Sequence, residues 1–331
     1  MLAFFKSQSL NIELVSSLAM LKQSNLSIAK KKAVLSIRAR FLSEARQWFA
    51  LNEFTEVQGP VIVPAVGKPS SSLEVSYFDK RASLSHGLQP YTDAFTKLFG
   101  KVYAIQPVFR AEKIKTNRHL VEFWRIEVAA SKMRLEDMTA AIEQLIGEVS
   151  AGLLSHASNE LKLLGRNTDQ LALIKTPFVR LTYDEAIERL QEEGHKVQWG
   201  EELNRGLEKR LSLLHKKPFF ITDYPISVEN QFFKENPNKP ELSLVADLLA
   251  PEGFGELGSG GETGSKEEIL RKMSEDEIDV DIQKWYLDLK NSNQVNSAFA
   301  VGVERYIQWF CGLHTISQTT LFPRTFDSLY P

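Results

Sequence analysis

The stretch from residue 105 to 127, IQPVFRAEKIKTNRHLVEFWRIE, constrains this chain more than any other. Its two ends are apolar and β-prone, and the second alternates between apolar and polar residues around Phe123 and Trp124. This pattern predicts a hairpin, whose loop carries Arg110, Glu112, Lys113, Lys115, Arg118 and His119. Arginine presents a planar fork to phosphate oxygens and a neighbouring aromatic ring stacks on a base, so a bound polyphosphate is one interpretation. A surface hairpin with a solvated tip is the other.

The order FRAE, a short loop and RHLVEFWRIE resembles motif 2 of class II aminoacyl-tRNA synthetases, in the asparaginyl and aspartyl branch. The resemblance implies that Arg110 holds the α-phosphate of ATP and the carboxylate of an amino acid. It also implies that Glu112 lies by the adenine, that His119 reaches the γ-phosphate and that Phe123 stacks on the adenine. Arg118, in the same loop, completes this predicted ATP site.

Near the end of the chain, AFAVGVERYIQWF resembles motif 3 of the same family through Gly302, Glu304 and Arg305. The resemblance places Arg305 on the other face of the adenine and makes Arg110 and Arg305 the candidate catalytic residues. A helix that begins near this point would also favour phosphate through its dipole. Without the resemblance, a glycine turn with a surface arginine explains the same residues.

Two carboxylates, Asp247 and Glu256, are predicted to flank a turn, and Glu256 itself belongs to a glycine-rich stretch that is also predicted to be a turn, GFGELGSGGETGS. In the family these positions hold the catalytic metal ion, and magnesium on phosphates takes one or two carboxylates plus waters. Asp247 lies in the apolar run VADLLAP, where a buried carboxylate needs a partner or a metal. A solvated acidic loop is the alternative.

The amino-acid half of the site departs from the family pattern. Thr263 stands where asparaginyl and aspartyl enzymes carry an arginine that clamps the substrate side chain, and losing it removes about 2 to 5 kcal/mol of binding. Thr92 replaces a lysine of the aspartyl enzymes, and Asp93 a glutamate common in asparaginyl ones. The complete set of candidate pocket residues is Gln89, Thr92, Asp93, Asn230, Gly260 and Thr263. The run GSGGE also resembles archaeal asparagine synthetase.

The resemblance implies an α+β fold, a mostly antiparallel sheet flanked by helices, as in class II synthetase cores. It assigns residues 28–331 to one catalytic domain after a leading segment, 1–27, without an anticodon-binding domain. Helical spacing from Ser27 to Ala50, followed by FTEVQGPVIV, resembles motif 1, which forms a two-fold interface in the family and predicts a homodimer.

Composition limits the kinds of partner and of structural site that the chain can have. The formal net charge of −2 gives no overall basic field for nucleic acid, and the single cysteine, Cys311, excludes an internal disulfide and a thiolate zinc cluster. We expect a cytoplasmic protein, since the first residues resemble neither a signal peptide nor a membrane span. The histidines at 86, 156, 195, 215 and 314 have no ligand-like spacing and are expected to be structural or superficial.

Together these features predict an ATP- and Mg²⁺-dependent ligase that forms an aminoacyl adenylate. We expect the acyl group to pass to ammonia, a small amine or a carrier. The alternatives are asparaginyl-type charging of tRNA, a tRNA-using or carrier-loading biosynthetic step, and a non-catalytic synthetase-like regulatory subunit. The intact motif residues argue against the last.

Overall fold

A computed structural model describes residues 26–65, 72–114, 116–228, 233–275, 280–290 and 295–329. Asn230 and nearly all of the expected leading segment lie outside the described residues. None of the described helices is long and apolar enough to cross a membrane.

An eight-stranded sheet dominates the structure, in the order β1-β5-β6-β13-β12-β11-β8-β7. Its strands are β1 (Thr55–Glu56), β5 (Lys101–Phe109), β6 (Glu122–Ser131), β7 (Val179–Thr182), β8 (Phe219–Thr222), β11 (Val245–Ala250), β12 (Gly255–Glu262) and β13 (Asn296–Gly302). Only the outer pairs, β1 with β5 and β7 with β8, are parallel. The prediction of a mostly antiparallel sheet flanked by helices is therefore confirmed.

Smaller sheets and the helices surround this sheet. One small sheet contains β2 (Ile62–Pro64), β3 (Glu74–Tyr77) and β4 (Lys80–Leu84), and the other β9 (Glu235–Asn236) and β10 (Lys239–Ser243). The helices are α1 (Ile28–Leu51), α2 (Gln89–Phe99), α3 (Leu135–His156), α4 (Ser158–Leu164), α5 (Thr168–Leu171), α6 (Tyr183–Glu192), α7 (Arg205–Leu213), α8 (Lys266–Glu275), α9 (Val280–Leu289) and α10 (Val303–Phe310), with a 3₁₀ helix at Ile316–Thr319.

Helix α1 begins where the sequence predicts. The hydroxyl of Ser27 accepts a hydrogen bond from the main-chain N of Lys30, which is N-capping that satisfies an otherwise free helical N–H. The residues spaced by three and four are buried: Val34, Ile37, Phe41, Ala45 and Trp48. They pack with α3, α10 and one face of the large sheet into the main hydrophobic core. That leaves the opposite face of the sheet available for a site.

The glycine-rich stretch after β11 is not a turn, as the sequence suggested, but mostly strand β12. The turn is confined to residues 251–254, and the next eight residues pair with β11 and β13. A Cβ at Gly258 would collide with the main-chain O of Ala300, and one at Gly260 with that of Ala298. Glycine is required here because the neighbouring strand approaches too closely for a side chain.

Candidate active site

Two connected cavities open on the face of the sheet opposite the main core. The first, the arginine-rich cavity, is lined by Arg110, Arg118, Arg125, Arg205 and Arg305 among others. The second, the aromatic cavity, has a volume of about 480 Å³ and includes Phe233, Tyr286 and Phe299 in its wall. The residues that line both are Arg110, Glu112, Arg125, Glu256 and Ala300. A ligand in one cavity can therefore meet a ligand in the other at this shared wall.

The arginine-rich cavity brings together every residue that the sequence assigned to ATP. These are Arg110, Glu112, Arg118, His119, Phe123 and Arg305. They come from the β5–β6 hairpin and from the start of α10, elements that lie far apart in the sequence and meet because β6 pairs with β13. The guanidinium of Arg110 lies 5.8 Å from the centre of the Phe123 ring.

Helix α7 contributes two residues that the sequence analysis missed. Arg118 donates a 2.8 Å hydrogen bond to Glu208, and Arg205 makes a very short contact with the ring of His119. Arg205 and Glu208 are three residues apart on α7, so both reach the same cavity from one helix face. In the sequence around Arg205 and Glu208, only this spacing of two opposite charges could have indicated that they belong to the site. The Arg118–Glu208 ion pair and the Arg205–His119 hydrogen bond both join residues of the cavity wall, and the free volume of the cavity is about 150 Å³.

His119 is held as a neutral side chain. Burial lowers its pKa to about 4, and the positive charge of Arg205 contributes to the shift. Its Nδ1 lies 2.8 Å from the hydroxyl of Thr116. At neutral pH the ring is therefore a hydrogen-bonding group and not a cation.

Arg305 is fixed by main-chain oxygens. Its Nε donates to the carbonyl of Glu256 over 3.0 Å, its Nη2 to the carbonyl of Phe254, and its Nη1 to Gln308 over 2.8 Å. Burial lowers the pKa of Arg305 to about 9, Arg118 adds to this, and Glu256 opposes it. A partly buried cation with a lowered pKa is stabilised by an anionic ligand such as phosphate.

The two predicted metal residues share one face of the sheet. In the antiparallel register Asp247 faces Ser259 and Leu249 faces Glu256, so all four side chains project to the same side. Burial raises the pKa of Glu256, and so does the charge of Glu208, while Arg110 lowers it. Among the described residues there is no group of three or more acidic, histidine or cysteine side chains that could hold a metal ion. A phosphate-bound magnesium needs fewer protein ligands. Glu256 lines both cavities and Ser259 lines the aromatic one, whereas Asp247 lines neither and only shares their face of the sheet.

The aromatic cavity contains some of the predicted pocket residues and not others. Gln89 and Thr92 line it, whereas Asp93 is buried and does not line it. Oδ2 of Asp93 accepts hydrogen bonds from Tyr286 and Lys290, each 2.7 Å long. Tyr286, which the sequence analysis did not single out, thus forms part of the wall and is held there by Asp93.

Thr263 and Gly260 do not line the cavity. The hydroxyl of Thr263 is buried and donates to the carbonyl of Asn296 over 3.4 Å. Gly260 faces strand β13, and a Cβ at the adjacent Gly261 would meet the ring of Phe233. Phe233 is itself one of the residues that line the aromatic cavity. Lys266, the residue nearest in sequence that could replace the missing arginine, pairs instead with the exposed Asp288 over 3.5 Å.

Other residues of the aromatic cavity have buried polar atoms without a hydrogen-bond partner. Within the described part of the chain, Oε1 of Glu127 and Nε2 of Gln89 are buried without a hydrogen-bond partner. Oε2 of Glu127 accepts a 2.8 Å hydrogen bond from the main-chain N of Leu88, which fixes the carboxylate. His86 also lines this cavity, although the sequence suggested a structural or surface role. Buried polar groups are nearly always paired, so a polar ligand is the natural partner.

Comparison with known proteins agrees with this geometry. Residues 20–326 match the family described as tRNA synthetases class II (D, K and N). The chain is 36% identical over 305 residues to an asparagine–tRNA ligase of Desulforamulus reducens, covering 91% of this chain and 71% of that protein. An asparagine–tRNA ligase of Pyrococcus abyssi is also 36% identical over 305 residues, covering 91% and 70%.

The fold comparison gives the same result. The asparaginyl-tRNA synthetase of Pyrococcus horikoshii, complexed with asparaginyl-adenylate, superposes with a TM-score of 0.88 at 35% identity. The match covers 91% of this chain and 70% of that chain. With a family match over most of its length, this chain belongs to the class II tRNA synthetases of the D, K and N group.

Proposed function

We propose that this chain activates an amino acid with ATP and Mg²⁺, forming an aminoacyl adenylate and pyrophosphate. The observation that carries the proposal is the pair of cavities that meet at Arg110. One is lined by arginines suited to phosphates, and the other holds a buried carboxylate oxygen and a buried amide N–H that have no hydrogen-bond partner among the described residues. A free amino acid supplies an ammonium for Oε1 of Glu127, and its carboxylate extends towards the shared wall.

In this mechanism the chain positions two reactants and spreads charge. An oxygen of the substrate carboxylate forms a bond to the α-phosphorus while the bond from that phosphorus to pyrophosphate breaks, and the electron pair leaves with pyrophosphate. Arg110 stabilises the charge on the α-phosphate and Arg305 that on the γ-phosphate. A bound magnesium, held by Glu256 with Asp247 and Ser259, would neutralise the other phosphate oxygens. No protein nucleophile is required.

Nucleotide binding requires the polar contacts inside the arginine-rich cavity to rearrange. Arg118 reaches across the arginine-rich cavity to Glu208, and Arg205 reaches His119. A triphosphate that enters must replace Glu208 as the partner of Arg118. This exchange keeps the guanidinium of Arg118 paired, while the carboxylate of Glu208 loses its cationic partner.

For the acceptor we propose ammonia, a small amine or a carrier. The net charge of −2 supports this, because tRNA binding relies on a positive surface. Charging of tRNA with asparagine is the second candidate, and the names of the relatives favour it. A synthetase-like subunit without catalytic activity fits less well, since the cationic residues of the site are all present.

The two acceptors can be separated directly. Purified protein with ATP, Mg²⁺ and its amino acid is offered hydroxylamine, as a small amine, or unfractionated tRNA. We expect hydroxylamine to increase AMP release and to trap the acyl group as a hydroxamate. Acylation of tRNA at a rate above that of hydroxamate formation would contradict the small-acceptor proposal and support the second candidate.

A further inference from the structure

Arg125 has no role in the motif 2 resemblance, yet it lies at the junction of the two cavities. It lines both of them together with Arg110. On β6 it pairs in register with Gly302, and strand alternation puts Arg125 on the same face as Phe123 and Glu127. Its side chain is 20% exposed, so the guanidinium is largely withdrawn from water. Its ion pair with Glu127 is 3.7 Å long, too long for a hydrogen bond, so a closer anion would stabilise the guanidinium.

The contacts of Arg125 orient it towards the amino-acid side of the junction. Its Nη1 donates to the carbonyl of His86 over 3.3 Å and lies 3.7 Å from Oε1 of Glu127. His86 and Glu127 both line the aromatic cavity and not the arginine-rich one. A Cβ at Gly87 would lie 3.2 Å from the same Nη1, so glycine at that position leaves room for the guanidinium.

Arg110 faces the same space from the nucleotide side. It lies 3.7 Å from Glu112, the residue assigned to the adenine end of the site. Burial lowers the pKa of Arg110, and the positive charge of Arg125 lowers it further. Two guanidinium groups that repel each other across a cavity are both stabilised when anions bind between them. An amino-acid carboxylate and an α-phosphate are two such anions.

We infer that Arg125 is a substrate-binding residue that holds the reacting carboxylate of the amino acid, while Arg110 holds the α-phosphate. This inference rests on the proposed adenylation. One carboxylate oxygen attacks the phosphorus and the other stays on Arg125, which fixes the angle of attack. The carboxylate loses its charge when the mixed anhydride forms, so the contact with Arg125 is strongest before the reaction. Arg125 therefore acts mainly on amino-acid affinity and less on the rate of the chemical step.

Two variants of Arg125 test the inference by amino-acid-dependent ATP–pyrophosphate exchange, after a panel of the twenty amino acids has identified the substrate. Arg125→Met keeps the length of the side chain without charge, and Arg125→Lys keeps the charge without the planar fork. We expect Arg125→Met to raise KM for the amino acid on the order of 10- to 100-fold. Arg125→Lys should raise it less, because the charge is kept. KM for ATP should change by less than about twofold. Arg81→Met, at an arginine that is 74% exposed on the small sheet, is the matched control.

Each outcome decides one question. An unchanged amino-acid KM in Arg125→Met overturns the inference. So does an equal rise in KM for ATP and for the amino acid together with a lower Tm, because a purely structural role for Arg125 would give that result. If the wild-type protein shows no exchange with any amino acid, the proposed function fails first, and that failure is visible before any variant is measured.

Discussion

Single residues of the site combine burial with charge. The guanidinium of Arg305 and the carboxylate of Glu256 are both partly buried, and their pKa values shift in the directions that burial dictates, downwards for Arg305 and upwards for Glu256. Neighbouring charges compensate only in part. Such residues cost stability in the free protein, and they become favourable when a ligand of opposite charge arrives.

The cations at the phosphates supply the first prediction. Arg110→Ala and Arg305→Ala should each abolish adenylate formation while the protein stays folded, because each cation stabilises charge in the transition state by about 3 to 4 kcal/mol. Pyrophosphate exchange and circular dichroism of the purified variants measure the two effects. Arg81→Ala is the control, and exchange near the wild-type rate in either motif variant would refute the assignment.

Two histidines make the protein sensitive to acid. Burial lowers the pKa of both His119 and His215 to about 4. Their unfolded pKa is about 6.5, so between about pH 6.5 and pH 4 the unfolded state binds protons that the folded state does not, and stability falls as the pH falls. Urea unfolding should show that the free energy of unfolding falls less over this pH range in His215→Gln than in wild type. The difference in slope against pH should correspond to about one proton. If the free energy of unfolding depends on pH with the same slope in both proteins, His215 is not a neutral, buried side chain.

At the scale of elements, sequence reasoning succeeded where the pattern is local and failed where it is not. The start of α1 at Ser27 follows from a few adjacent residues and is confirmed. Strand β12 was taken for a turn because glycine composition does not reveal the close approach of β13. The contribution of Glu208 to the site also escaped, since it meets Arg118 across 90 residues of chain.

Helix α9 closes the aromatic cavity through a buried ion pair. Lys290 and Asp93 are 7% and 4% exposed, and Asp93 also accepts from Tyr286. Trp285 stacks on Tyr91 with ring centres 5.0 Å apart, which joins the same two elements. The wall of the cavity is therefore held by α2.

Removing one member of this pair should be costly. Lys290→Met leaves the carboxylate of Asp93 buried without its cation and should lower the free energy of unfolding by about 3 to 5 kcal/mol. Lys266→Met breaks only an exposed pair and should cost less than about 1 kcal/mol. Urea denaturation compares the two variants, and equal effects would show that the buried pair contributes no more than the surface one.

At the scale of the whole molecule, the outer side of α1 carries an apolar groove of about 440 Å³ that includes Ile28, Leu35, Ala39 and Leu321. The other side of the same helix is in the main core. The predicted two-fold interface of motif 1 would cover this groove with the same surface of a second copy.

The homodimer prediction can be tested by sedimentation. We expect a dimer at micromolar concentration, and Leu35→Glu should convert it to monomer by placing a charge in the apolar contact. Leu163→Glu, at a leucine that is 48% exposed on α4, is the matched control. A stable wild-type monomer with full activity would contradict the prediction.

The substrate pocket provides a further prediction. The hydroxyl of Thr263 is hydrogen-bonded to the main chain, and Thr92 stands in place of a lysine. The side-chain carboxylate of a substrate such as aspartate therefore meets no cation from either position. Aspartate should therefore be a poor substrate. Thr263→Arg should raise exchange with aspartate or asparagine relative to the preferred amino acid, and a strong wild-type preference for aspartate would contradict this account of the pocket.

Formation of an aminoacyl adenylate is the central claim, and ATP–pyrophosphate exchange across a panel of amino acids tests it most directly. The account predicts exchange that depends on Mg²⁺ and on at least one amino acid other than aspartate, and that is lost in Arg110→Ala. Wild-type protein that binds ATP but shows no exchange with any amino acid would contradict the account.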